Sequence, residues 1–494
     1  MTRDGAAGAA FGAAVVFLGA GVVGGAWPTG WVALVCALVL AALGATVLVS
    51  RRRDRTTPRD EGTVLDKTGA GRATGRSSTV AAGVVWLLAL AAAGSWGLMA
   101  ADDDADGDRA SGNPSATAPA SPTGGEAGIA WSVPAVGAKY DEGVGAWALG
   151  DTVGQGRLDG LFAYDSADGD VRWSVPAPTR EALCAMSPDT EQGIGLIAHG
   201  RHEEACATVL AVRTSDGKVL WRKDLTGKGL LARGLAVGGG TAVTAEDGTV
   251  RGRSAETGEQ RWQRASDKGC EVLAVDADAT RALVVEQCGK GARLVALDTR
   301  TGARRWIREL PVESRAEASV VSVSPVVLAV DEDDKRGTHA FLGFDDRGAP
   351  TVTIPLAGPE SLLSAPGDVG SGRSTRPVVR DGRLITLAER ELVPDRVVAH
   401  SLTDGRKAWE YRSEHQTTAL AVEPDGRVAV LENRNGAAVV LLDPATGEAG
   451  AVLSAEDAAA KLSIEPELLV APGGRHVVVN HILMQAEPSA FALH

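Results

Sequence analysis

The sequence predicts an all-β domain, an eight-bladed β-propeller of four-stranded blades, preceded by three transmembrane helices. Three observations lead there. Long uncharged apolar runs fill much of the chain before residue 102, a Gly-x-x-x-Trp hairpin unit recurs through residues 129–494, and the strand count closes only if the first strand completes the last blade. Composition narrows the classes. Five Cys in 494 residues exclude a small disulfide-stapled scaffold, and a net charge of −13 argues against nucleic-acid binding, which needs a basic face. Arg outnumbers Lys by 40 to 10 amid abundant Ala and Gly, the mark of a GC-rich, bacterial coding sequence.

The membrane domain is expected over residues 1–101. No charged residue occurs from Ala6 to Ser50, and Trp27-Pro28-Thr29-Gly30-Trp31 breaks that run with a turn flanked by Trp. Two spans follow, about 6–26 and 31–49, each near the ~20 residues that cross a hydrocarbon core. A third uncharged run covers residues 79–101. The intervening loop, 50–78, carries Arg51, Arg52, Arg53, Arg55, Arg59, Lys67, Arg72 and Arg76 against four acidic residues, whereas the third span exits into Asp102, Asp103 and Asp104. By the positive-inside rule the basic loop and the N-terminus are cytoplasmic, and everything beyond Asp102 lies outside a plasma membrane that the chain crosses three times. The first span is not read as a cleaved signal peptide, because its one Arg sits beside an Asp and a second span follows within five residues. Residues 102–128, rich in Asp, Ser, Pro, Thr, Ala and Gly without an aromatic, cannot bury enough surface to fold and form a disordered extracellular linker.

From Ile129 the chain repeats itself. The clearest unit runs from Leu294 through Asp298, Thr301 and Gly302 to Trp306, and variants place Gly169 before Trp173, Gly217 before Trp221, Gly258 before Trp262 and Gly405 before Trp409, always four residues apart. Copies around Gly348 and Gly447 keep the hairpin and lose the Trp, while Trp131 stands on a strand with no partner before it. In each unit an apolar strand ends at Asp or Ser, a tight turn with Gly reverses the chain, and the return strand carries a Trp able to pack between blades. Steps of 41 to 57 residues between Trp positions fit a propeller blade. Strands such as Ala232–Ala245 and Glu271–Val285 supply the other two per blade. The C-terminal strand from Ala490 has no return strand after it, and the Trp131 strand supplies one, so the ring closes with no open sheet edge.

The pattern Ala296-x-Asp298-x-x-Thr301-Gly302-x-x-x-Trp306 resembles the tryptophan-docking motif of quinoprotein-like (PQQ-repeat) propellers, a superfamily of pyrroloquinoline-quinone dehydrogenases and an outer-membrane assembly lipoprotein. The resemblance spans residues 129–494 and implies the eight-bladed fold, with Trp131, Trp173, Trp221, Trp262, Trp306 and Trp409 and glycines 169, 217, 258, 302, 405 and 447 as structural docking residues. It also raises a PQQ-dependent oxidoreductase as the alternative function. Members that oxidise alcohols carry adjacent Cys beneath the quinone and a calcium site nearby; no Cys-Cys occurs here, so no cofactor, metal or catalytic residue is expected. A nucleophile elbow, P-loop, kinase loop and zinc spacing are missing as well.

Two clusters resemble ligand sets. His199-x-x-His202-Glu203-Glu204 with Cys206 is read as a polar hairpin tip, and Asp331-Glu332-Asp333-Asp334 lacks calcium-loop spacing and is read as a solvated turn. Cys270 opens one strand of a hairpin and Cys288 closes the other, which places them opposite each other as a disulfide; Cys184 and Cys206 form the remaining extracellular pair, as a disulfide or as buried thiols. Loops between second and third strands share a propeller face with the connectors between blades. That face gathers His199–Glu204, Asp331–Gly337 and the long insertion Ala357–Pro377, making it the expected binding surface for an extracellular protein, peptide or envelope ligand.

Overall fold

The computed structural model describes residues 128–135, 143–202, 204–358, 362–366, 376–390, 393–455, 460–483 and 487–493. The three expected spans, the basic loop and the linker before Gly128 lie outside them. Among the described residues no helix is long and apolar enough to cross a membrane.

Eight antiparallel sheets follow one another along the chain. Blade one comprises Gly143–Leu149, Thr152–Arg157, Gly160–Asp165 and Val171–Pro176, paired in chain order. Blade two runs from Ala182 to Asp224, blade three from Leu230 to Ala265, blade four from Cys270 to Glu309 and blade five from Ala316 to Pro355. Blade seven runs from Gln416 to Ala455. First strands of successive blades lie against one another, which places them around the axis and the fourth strands at the rim. Second and third strands are buried almost throughout, the mark of strands covered on both faces, so they read as continuous Val, Leu and Ala rather than as an alternation.

Blade eight consists of Pro466–Ala471, Arg475–Asn480 and Ala490–Leu493, and its fourth strand is Ile129–Val133. Trp131 pairs with Ala492 and Val133 with Ala490, so the closure expected from the strand count is realised. Blade six departs from the pattern. Its first strand is split into Leu362–Leu363 and Val378–Arg380, both pairing with Arg383–Arg390, and the insertion lies between the pieces.

Candidate functional site

The ring is held at its seams, and the sequence pattern explains how. On the face formed by the turns between third and fourth strands, each indole docks on the glycine of the following blade rather than on the glycine of its own unit. Trp131 packs on Gly169, Trp173 on Gly217, Trp221 on Gly258, Trp262 on Gly302, Trp306 on Gly348 and Trp409 on Gly447. Five of these indoles donate Nε1–H to a carbonyl of the same turn: Trp131 to Ser166, Trp221 to Ala255, Trp262 to Thr299, Trp306 to Asp346 and Trp409 to Pro444, at 2.7–3.0 Å. The Trp173 N–H is buried without an acceptor. Gly302 shows why glycine is needed: its φ is +69°, and a Cβ there would come within 2.6 Å of the Trp262 ring. Gly405 differs from expectation. It faces Val352 and receives no indole, because blade five ends in Val352 and Ile354 where every other blade but the seventh carries Trp. Conversely Gly348 and Gly447, in the copies that lack Trp, are full docking partners. Trp147, on the first strand of blade one, adds a dock nearer the axis that its unrepeated position hid: its ring lies on Gly195 and its N–H donates to Ser187 at 2.8 Å.

The opposite face, carrying second-to-third-strand loops and blade connectors, has its own ladder. One register position near the end of every second strand is occupied in turn by Arg157, His199, Glu246, Glu286, Val330, Ala388, Glu432 and Asn480, all buried. Where that residue is polar it mostly clasps the segment arriving from the preceding blade. His199 meets Glu181, Glu246 accepts from Thr226, Glu286 accepts from Ser266 and Arg264, Glu432 accepts from the Tyr411 hydroxyl, and Asn480 accepts from the Ser463 amide. In blade five the role moves two residues on, to Glu332, whose carboxylate accepts from the amides of Glu313, Ser314 and Thr338. Burial opposes ionisation of Glu332, but those hydrogen bonds outweigh it and hold its carboxyl down to about 2. The acidic tetrad 331–334 is therefore no uniformly solvated turn; Glu332 is a buried anchor.

Among the described residues, the seam between blades five and six has neither fastening, since Val352 stands for the Trp and Ala388 for the polar clasp. A cavity of about 570 Å³ opens there on the connector face. Its walls include Leu356, Leu362, Leu363 and Pro394, with Gln416, Thr417, Ile464 and Glu465 on the far side. The split first strand of blade six is the local cause, because only Leu362–Leu363 lines this end where other blades have a continuous strand. Leu362 is 43% exposed, Ile464 61%, and Val393, beside Pro394, 50%. The other large exposed aliphatics, Val171, Val219 and Val452, sit on fourth strands at the rim. Asp331 and Glu389 add carboxylates to the lining; His339 binds Asp331 through Nδ1 and the Asp334 carbonyl through Nε2, and the Asp331 hydrogen bond raises its pKa.

Both disulfides form. Cys270 stands opposite Cys288 in the blade-four ladder with Cα atoms 4.1 Å apart, and Cys184 joins Cys206 at 6.0 Å in blade two. Both clip the connector face. The His199 cluster disperses: Cys206 is in its disulfide, His199 is engaged by Glu181 and Arg222, His202 is exposed, and Glu203 lies outside the described residues. Burial lowers the His199 pKa.

The axis bears on the quinone question. Arg376, leading into blade six, donates to the Pro188 carbonyl of blade two across the ring at 3.0 Å and lies 4.0 Å from Glu467 of blade eight. Arg233 of blade three donates to Ala318 of blade five. Burial, then the charge of Asp189, push the Asp276 carboxyl up to about 7. Pyrroloquinoline quinone is a polycarboxylate that needs a divalent cation and a stacking floor. The cysteines are committed to disulfides in two separate blades and leave no floor of adjacent Cys, and no three metal-ligating side chains are grouped among the described residues. These residues do not fit the cofactor.

The family described as outer membrane protein assembly factor BamB matches residues 163–334, from the third strand of blade one to the second strand of blade five. Over that stretch, which is less than half of the chain, the recurring unit is similar to the quinoprotein-like one. Two solved structures align with most of the propeller. BamB from Moraxella catarrhalis is 16% identical over 74% of this chain and 99% of its own, with a TM-score of 0.48. The C-terminal WD40 domain of Sif2 is 10% identical over 74% of this chain and 97% of its own, with a TM-score of 0.50. At 10% identity the likeness to the WD40 domain extends to the fold and no further. No curated protein matches the sequence. The unfastened seam differs from the other seams of this chain.

Proposed function

We propose that this protein is a membrane-tethered extracellular propeller that acts as a non-enzymatic binding or scaffold module for a protein, peptide or cell-envelope ligand. One observation carries the reading. The connector face gathers the split strand, the unfastened seam, the cavity and the exposed aliphatics, over a ring otherwise fastened seam by seam. Concave apolar surface with a few polar groups on a fixed scaffold suits recognition. The match to an assembly-factor family supports a scaffold role.

Tethering rests on the uncharged runs, and the outward placement of the propeller on the Arg-rich loop before the third span. A reporter that fluoresces only in the cytoplasm should be bright when fused near Gly69 and dark at the C-terminus; the reverse pattern would invert the topology. In-membrane cross-linking should capture a partner through the connector face. Dye reduction with an alcohol or sugar after adding pyrroloquinoline quinone and calcium would replace this reading with the oxidoreductase.

A further inference from the structure

Resting on that binding role, we propose that the cavity at the seam of blades five and six receives an extended peptide segment of a partner protein, with aliphatic side chains seated between Leu362 and Ile464 and a Lys or Arg beside Glu389. The apolar half follows from exposure. Leu362 and Ile464 both line the opening, Val393 precedes the lining residue Pro394, and all three stay substantially exposed in the folded ring. Leaving such aliphatics together in water is unfavourable by their contact area, so a covering ligand gains what the ring forgoes.

Charge selects the rest of the ligand. On this face the buried carboxylates of Glu246, Glu286 and Glu432 each meet an arginine of their own blade, Arg251, Arg293 and Arg434. Glu389 also lies at the end of a second strand, yet among the described residues its carboxylate has neither a hydrogen bond nor an ion pair. It lines the cavity with Asp331 and Glu465, and of these Asp331 is engaged by His339. A cation brought by the ligand completes the site at Glu389, and an anionic ligand is repelled there. A volume of about 570 Å³ exceeds one side chain and suits a short extended stretch, with alternate residues pointing inward.

The test uses the full chain in neutral detergent, with empty micelles as the blank, and a fluorescein-labelled octapeptide of alternating Leu and Lys. Fluorescence anisotropy should show saturable binding that weakens at least tenfold in Ile464→Asp and in Leu362→Asp. Binding should also weaken and lose salt dependence in Glu389→Gln, while Val171→Asp, an equally exposed aliphatic at the rim, leaves it unchanged. All four side chains are solvent-accessible, and unchanged melting of each variant verifies its fold. Equal binding of the Leu–Glu or Ser–Lys octapeptide, or equal binding by parent and Ile464→Asp chains, would overturn the proposal. If the chain still cross-links to its partner in native membranes while Ile464→Asp changes neither that capture nor peptide binding, this assignment falls and the broader binding role stands.

Discussion

Replacing Trp262 by Ala tests the seam ladder most directly. The indole is 8% exposed and wedged between blades three and four, on Gly302 and against the Thr299 carbonyl that its N–H reaches at 2.9 Å. Removing a buried aromatic withdraws roughly 150–200 Å² of apolar surface, about 4–5 kcal/mol at about 25 cal/mol per Å², and partial collapse of the seam returns some of it. Loss of the hydrogen bond adds about 1 kcal/mol, because the Thr299 carbonyl is left in a buried seam. The expected cost is therefore about 4 kcal/mol. Trp173→Ala should cost about 1 kcal/mol less, since its N–H has no acceptor to lose and its ring is only partly buried. Gly302→Ala provides the reciprocal test. Alone it forces a Cβ into the ring at a left-handed φ; in the Trp262→Ala background the clash is gone and only the backbone cost remains, so the two changes should couple by about 1 kcal/mol or more. Guanidinium unfolding followed by far-ultraviolet circular dichroism measures all four chains. Strict additivity of Gly302→Ala and Trp262→Ala, or a larger loss for Trp173 than for Trp262, would refute the docking argument.

Deleting residues 129–136 removes the fourth strand of blade eight together with the Trp131 dock on Gly169, so the domain should unfold or aggregate, whereas trimming 111–123 should leave its melting temperature unchanged. Asp276 and Glu332 should bend the pH–stability curve in opposite directions. Stability from Asp276, whose folded pKa is raised to about 7, is full below the ordinary carboxylate range and lost as pH rises through about 7, so Asp276→Asn should flatten that decline; stability from Glu332, depressed to about 2, is present above the ordinary value and lost as pH falls toward about 2, a loss that Glu332→Gln removes at a neutral-pH cost of about 2 kcal/mol, both read by melting across pH. Cys270→Ser with Cys288→Ser opens a clip across 18 residues and should cost about 3 kcal/mol in denaturant without altering the circular dichroism spectrum.

The ring was legible because its fastening residues are chemically rare. Trp makes up 11 of 494 residues, so five of them four places after a Gly cannot hide, and the unpaired Trp131 strand announces the closure by lacking a first half. The direction of docking was not legible. Gly302 and Trp306 are neighbours in sequence and belong to different seams, since Trp306 reaches forward to Gly348 while Gly302 receives Trp262 from behind. The Cys270–Cys288 pairing could be read from hairpin register alone, whereas Arg376 reaching across the axis to Pro188 depends on a side chain and a backbone carbonyl 188 residues apart.

The second ladder escaped notice for a different reason. A Glu near the end of a strand, as at 246, 286 or 432, has the sequence signature of a solvated strand end, and only the ring shows that it is covered by the connector or last strand of the blade before. Once that position is known, Ala388 becomes informative: a small apolar residue where other blades clasp their neighbour is a fastening omitted. Val352 in place of Trp omits the second fastening at the same seam, and the split of the blade-six strand opens the inner wall there. Blade seven lacks the Trp as well, but its seam keeps the Asn480 clasp; only between blades five and six do three departures coincide among the described residues, and a fold tolerates such a cost in stability most readily where the opening itself is used. That coincidence supports placing the proposed binding surface at blades five and six rather than around His199, which is itself fastened into the ladder while Cys206 is held in a disulfide.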